Sequence, residues 1–136
     1  MSHGSETLLE TRMVDISEKQ PTARVARARG EIHMQPSTLQ AVLDKHTPKG
    51  DVLTIAQIAG IQGAKQCAQL IPLCHPLLLN GVDVEIQADV ERQVLVVEAT
   101  VKIRGKTGVE MEALCAVNAA LLTIYDMCKG LDPPME

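Results

Sequence analysis

Aromatic residues are nearly absent: the 136-residue chain has no tryptophan, no phenylalanine and a single tyrosine, Tyr125. Without flat side chains on which bases can stack, single-stranded nucleic-acid binding is excluded as a main activity. An excess of positive charge is missing as well. The formal net charge of -4 argues against a general polyanion surface, so any phosphorylated partner must be gripped by a local group of Lys and Arg. Closely spaced cysteines are lacking too. Cys67, Cys74, Cys115 and Cys128 form no C-x-x-C pair, which removes motif-type zinc and dithiol chemistry and reads as reduced, cytosolic thiols. No stretch approaches the ~18 to 20 apolar residues of a membrane span, and MSHGSETLLE shows no basic segment followed by a long apolar one, so a soluble protein without a signal peptide is expected. Residues 1–12 read as a flexible tail. Residues 13–136 read as one domain, of a size that buries roughly two thirds of its unfolded surface.

One more absence concerns GKTGVEMEAL, residues 105 to 114. Its opening resembles the end of a phosphate loop, and the alternating QVLVVEATVKI before it supplies the expected strand. However, Thr100 stands where the first glycine of that motif belongs, and without it the backbone N–H groups cannot curl around a phosphate. What remains is a helix start near Gly108, whose free N–H groups and dipole favour an anion in a weaker way.

What is present is an ordered series of periodic segments. Ala23 to Met34 alternates small or apolar with charged residues, the period of a half-buried strand. Pro36 and Ser37 open a helix in which Leu39, Val42 and Leu43 recur at helical spacing. TPKGD, residues 47 to 51, interrupts the pattern and leaves Asp51 to cap the next helix. Val52 to Leu70 suits one buried helix or two short ones, with Gly60 and Gly63 marking the candidate break. IPLCHPLLL carries Pro72 and Pro76 and should be extended and irregular. Two strands follow: Val82, Val84 and Ile86 share a face, and the run from Val94 to Val101 is apolar on both faces through Val97, which suits a central strand. VERQ, residues 90 to 93, is the expected hairpin turn. Val109 to Lys129 forms a long Ala-rich helix ended by Gly130 and by Pro133 and Pro134.

The order β, helices, β, β, long helix predicts an α+β, ferredoxin-like split βαβ fold: an antiparallel sheet with helices packed on one face and the final strand apparently missing from this chain. A missing strand would leave an open sheet edge.

Three places carry candidate chemistry. CHP, residues 74 to 76, puts a thiol beside an imidazole in a proline-stiffened loop. The plainer reading is a loop histidine bonded to a backbone carbonyl. Asp126 and Lys129 lie three apart on one helix face: an ordinary surface ion pair, or an ammonium held by a carboxylate and ready to bind phosphate or relay a proton. Glu110 and Glu112 are two apart and point to nearly opposite sides, so they cannot form a close carboxylate pair. The helix dipole alone accounts for at least one of them. Met111, Leu114, Val117, Leu121 and Tyr125 read as core, and Lys49, by spacing alone, as a solvent-facing lysine.

MVDIS (13 to 17), KGD (49 to 51), AGIQGAK (59 to 65), LIPLCHPL (70 to 77), TGVEMEAL (107 to 114) and LTIYDMCK (122 to 129) together resemble one family, cyclic pyranopterin monophosphate synthase, the molybdenum cofactor biosynthesis protein C. The resemblance runs in order over nearly the whole chain. It implies that 13–136 is a catalytic domain acting as a lyase of the phosphorus-oxygen type in the cytoplasm. The reaction implied is conversion of 3',8-cyclo-7,8-dihydroguanosine triphosphate to cyclic pyranopterin monophosphate with release of pyrophosphate. It further implies a homohexamer, a trimer of dimers with sites at dimer interfaces, no metal or redox cofactor, and no nucleic-acid or membrane partner. Carried over residue by residue, it makes Lys49, Asp126 and Lys129 catalytic, and Arg24, Lys65, Cys74, His75, Pro76, Met111, Glu110 and Glu112 substrate-binding, with Asp15 a further candidate. The family pattern continues past this point with a strand and a Gly-Gly-Lys-Ser-Gly type tail whose lysine belongs to the pocket. The rival expectation is a non-catalytic ligand-binding module of the same architecture, and a nucleotide hydrolase ranks behind both because its phosphate loop is incomplete.

Overall fold

A computed structural model describes residues 11–132 and 134–136, so most of the expected tail at 1–12 lies outside the described residues. Three strands form one antiparallel sheet: β1 (Thr22–His33), β2 (Gly81–Asp89) and β3 (Val94–Gly105), in the order β1-β3-β2. The doubly apolar strand is the central one, as its pattern requires. Leu95, Val97, Ala99 and Val101 are fully buried toward the helices, and Val94 is fully buried as well. The register pairs Thr22 with Gly105 and His33 with Val94 on one side, and Gly81 with Lys102 and Asp89 with Val94 on the other. VERQ makes the turn between β2 and β3, with Gln93 in the left-handed region at φ 59 and its N–H donating to the Val90 carbonyl at 3.2 Å. Arg92 in that turn clamps Glu31 of β1 with two bonds of 2.6 and 2.7 Å, which holds the carboxyl of Glu31 below its ordinary range.

The helices are α1 (Pro36–Leu43), α2 (Val52–Lys65), α3 (Cys67–Leu70) and α4 (Glu110–Cys128). Asp51 caps α2 as expected, its carboxylate accepting from the Thr54 N–H at 3.2 Å and the Thr54 hydroxyl at 2.9 Å. The break in this region falls at Gln66, not at the glycines. Gly60 and Gly63 instead let α2 lie directly on α4. A β-carbon at Gly63 would stand 2.7 Å from Ala119 Cβ and 2.8 Å from the Cys115 carbonyl oxygen. Gly63→Ala should therefore lower stability by about 1 to 3 kcal/mol, the usual range for overpacking a tight contact, with a lower melting temperature read by circular dichroism and the helical signal retained.

The same close approach corrects the reading of α4. Its buried face is built of Ala113, Ala116, Val117, Ala120, Ile124, Met127 and Cys128, whereas Met111, Leu114 and Tyr125, expected in the core, are exposed, Leu114 at 46 %. Helical spacing selects a stripe of larger side chains beside the true contact seam. Where Gly60 and Gly63 of α2 approach, α4 presents Cys115, Ala116 and Ala119. α4 runs from Glu110 to Cys128, one residue shorter at each end than expected. Among the described residues it is the one helix long and apolar enough to cross a membrane, and half of it is buried here as the core helix of the α+β domain.

After α4 the chain turns back to the sheet. Asp132, almost fully buried, accepts the Gln35 N–H at 2.6 Å at the start of α1. Glu136 pairs in both directions with the backbone of His33, on the edge of β1 away from β3.

Candidate functional site

The KGD turn delivers Lys49 toward the end of α4. Gly50 adopts φ 108, a conformation that only glycine enters cheaply, and Asp51 then starts α2. Lys49 Nζ reaches Asp126 Oδ2 at 3.3 Å and the Asp126 carbonyl oxygen at 3.3 Å, while Lys129 Nζ holds Asp126 Oδ1 at 3.1 Å. Lys49, expected to face solvent, is half exposed and paired with Asp126. Two ammonium groups bracket one carboxylate, and all three side chains are about half exposed, open to a ligand from outside. The hydrogen bond from Lys129, then that from Lys49, lowers the pKa of Asp126 below its ordinary 3.8. A depressed carboxylate keeps its pairing above the ordinary value and loses it only as pH falls through the lower folded value. Carboxyl-carbon NMR should accordingly find Asp126 titrating below 3.8, and the midpoint should rise in Lys49→Ala and again in Lys129→Ala.

A second group forms at the other end of α4. Cys74, His75, Thr107, Glu110, Met111 and Glu112 border a cavity of about 300 Å3, and Lys65, His75, Pro76 and Glu112 border a smaller one of about 120 Å3. The two glutamates part company as their spacing demands: Glu110 is exposed, and Glu112 is buried at 3 % exposure. The Glu110 carboxylate lies over Gly108. His75 Nε2 bonds the Val14 carbonyl oxygen at 2.5 Å, which is the plainer of the two expectations, and this bond ties the MVDIS segment to the CHP loop. Asp15 in that segment is held below the ordinary carboxylate range chiefly by the Ser17 N–H, with smaller help from His75 and Lys106. Arg24 shares the parity of Ala26 and Ile32, whose side chains are buried on the helix side, near the end of β1 that pairs with Gly105. Its Nε is the one buried side-chain donor without a partner among the described residues.

Sequence spacing keeps the cysteines apart, and folding does not. Cys67, Cys74 and Cys115 come together beside Glu112, with Sγ to Sγ distances of 3.8 and 3.4 Å. Burial, reinforced by these neighbours, pushes the Cys67 thiol far up, and burial likewise raises Cys74. Seven, forty-one and forty-eight positions separate the members, so no spacing rule could have found the group.

The expected site residues therefore form two clusters. Asp126 lies fourteen residues after Glu112 on the same helix, roughly 21 Å along its axis at ~1.5 Å per residue. A groove of about 410 Å3 on the open face of the sheet, lined by Arg29, Glu85 and Glu98, contains none of them.

A profile of the MoaC family matches residues 13–136. The chain belongs to the MoaC family. Individual members are similar over nearly its whole length. It is 52 % identical over 136 residues to the cyclic pyranopterin monophosphate synthase of Roseiflexus castenholzii, covering 100 % of this chain and 85 % of that protein. It is 57 % identical over 125 residues to the protein of the same name from Roseiflexus sp. strain RS-1, covering 92 % and 79 %. With the cyclic pyranopterin monophosphate synthase of Rhodospirillum rubrum it shares 54 % over 124 residues, covering 91 % and 75 %. The region matched by the family profile takes in both clusters and the segment from Met13 to Ser17.

Proposed function

We infer that this MoaC-family chain is a lyase of molybdenum cofactor biosynthesis, converting 3',8-cyclo-7,8-dihydroguanosine triphosphate to cyclic pyranopterin monophosphate and pyrophosphate. The observation that carries the reading is the Lys49–Asp126–Lys129 group, because the reaction needs what it offers. Ring opening and closure on a purine-derived skeleton require proton transfers, and forming a cyclic phosphate with loss of pyrophosphate requires positive charge on the leaving oxygens. Lys129, oriented by Asp126, and Lys49 supply both. Arg24, with its unpartnered buried Nε, and Lys65 and His75 hold the triphosphate. Glu110 or Glu112 accepts from the amide edge of the guanine-derived ring, Cys74 and Pro76 shape the loop against it, and Met111 covers the cavity.

A single copy holds these groups too far apart to act on one small molecule, so the working site joins the Lys49 end of one α4 to the Glu112 end of another. The exposed apolar residues of α2 and α4, among them Ile55, Ile58, Leu114, Leu122 and Tyr125, support a surface covered by further copies. The assembly in this reading is a homohexamer, a trimer of dimers, working in the cytoplasm on a small molecule.

The test is direct. The purified chain is incubated with the cyclised dihydro-GTP intermediate, and cyclic pyranopterin monophosphate and pyrophosphate are followed by chromatography. Equimolar appearance of both is expected. Tight binding of the intermediate with no product, under conditions where a family relative turns it over, would replace the lyase with a ligand-binding module.

A further inference from the structure

Three thiols and a carboxylate converge where α3, the CHP loop and the first turns of α4 meet. Cys67 Sγ lies 3.8 Å from Cys74 Sγ and 3.4 Å from Cys115 Sγ, and Cys74 Sγ lies 3.6 Å from Glu112 Oε2. The ligand atoms of Cys67, Cys74 and Glu112 all stand within 4.8 Å of one another. In a tetrahedral thiolate site with metal–sulfur bonds of ~2.3 Å, neighbouring ligand atoms are separated by roughly 3.8 Å. Cys67, Cys74 and Glu112 already come close to that spacing, and Cys115 meets it toward Cys67.

Glu112 adds an independent argument. Its carboxylate is almost entirely buried, and among the described residues its hydrogen-bond partner is the Cys74 thiol, a weak donor. A carboxylate removed from water to this degree is ordinarily matched by a cation or by several strong donors. Lys65 and His75 border the same small cavity, but the atom bonded to the carboxylate is the Cys74 sulfur, and clustered sulfur prefers a soft, polarisable metal.

We propose that Cys67, Cys74 and Glu112, with Cys115 as the fourth ligand, form a binding site for a thiophilic divalent cation of the zinc or cadmium type. Binding expels the three thiol protons to solvent and leaves three thiolates and one carboxylate on the dication, a centre of net charge -2. The site closes off Cys74 and Glu112, both of which border the pocket assigned to substrate. Occupancy therefore blocks that pocket, a consequence that rests on the proposed function, whereas the binding itself does not.

The experiment uses the whole chain, reduced with a phosphine, stripped of metal and titrated with cadmium. A thiolate-to-cadmium ultraviolet band saturating at one equivalent per chain is expected. Cys67→Ser and Cys115→Ser should each weaken binding by more than about 100-fold, beyond the cost of losing an outer-shell partner, while Cys128→Ala, which alters a thiol at the far end of α4, should leave it unchanged. Circular dichroism identifies any variant that fails to fold. Cys115 is only half-buried, so its variant decides the matter if Cys67→Ser is lost. Absence of the band, or a band indifferent to both serine variants, overturns the site. In the second arm, one equivalent of zinc should stop turnover of the cyclised intermediate, chelator should restore it, and the Cys67→Ser/Cys115→Ser double variant should keep its basal activity while becoming insensitive. Zinc bound at full turnover overturns the blocking role, and a chain that never turns over leaves the titration to decide the site.

Discussion

Lys129→Ala is expected to lower kcat for cyclic pyranopterin monophosphate formation by about 10² to 10³-fold or more, the range seen when one preorganised charge or donor is taken from a transition state. Lys129 is half exposed and is not among the buried residues of α4, so melting temperature and helical content should stay near those of the unsubstituted chain. Asp126 would keep Lys49 at 3.3 Å, and the local charge would fall without collapsing. Lys129→Arg distinguishes the two roles of the ammonium. Guanidinium preserves the positive charge but does not release a proton in a protein. An inactive arginine variant therefore marks Lys129 as a proton-transferring group, and this is the expected result. Lys129→Ala with undiminished kcat would remove Lys129 from the catalytic group altogether.

The Lys49–Asp126 contact spans seventy-seven positions, and neither periodicity nor local spacing could have announced it. From spacing alone Lys49 reads as a solvent lysine; only the resemblance places it in a pocket. By contrast, everything governed by near neighbours is legible. The alternation of β1 and β3, the VERQ turn, the Asp51 cap and the opposite fates of Glu110 and Glu112 all follow from a period of 2.0 or 3.6 or from a cap three residues away. Legibility fails where close packing uses the smallest residues. Ala113, Ala116 and Ala120 carry little weight in a hydrophobic pattern, yet they are fully buried on α4, and Gly60 and Gly63 let α2 approach at Ala116 and Ala119. The larger Met111, Leu114 and Tyr125 are left outside. The thiol group is hidden for the same reason as Lys49: its members belong to three segments joined only by tertiary structure.

The separation of the two clusters leads to the sharpest expectation, a recovery of activity on mixing two dead chains. Lys129→Ala destroys the cluster at the end of α4 and Glu112→Gln the one at its start. If a site takes one cluster from each of two copies, a mixed dimer carries one site with both damaged halves and one with neither. Random pairing by unfolding and refolding together, or by coexpression, should then restore about a quarter of the wild-type activity, since half the dimers are mixed and each has one intact site of two. The converse mixture is as informative. A chain bearing both substitutions contributes a damaged half to each site of a mixed dimer, so pairing it with an equal amount of unsubstituted chain should cut activity per unsubstituted chain to about one half. Sites complete within one chain predict the opposite in both cases: no recovery from the two single variants, and no loss when the doubly substituted chain is added. That outcome would separate Lys49, Asp126 and Lys129 from the pocket at Glu112 and return the latter to a ligand-binding role of its own.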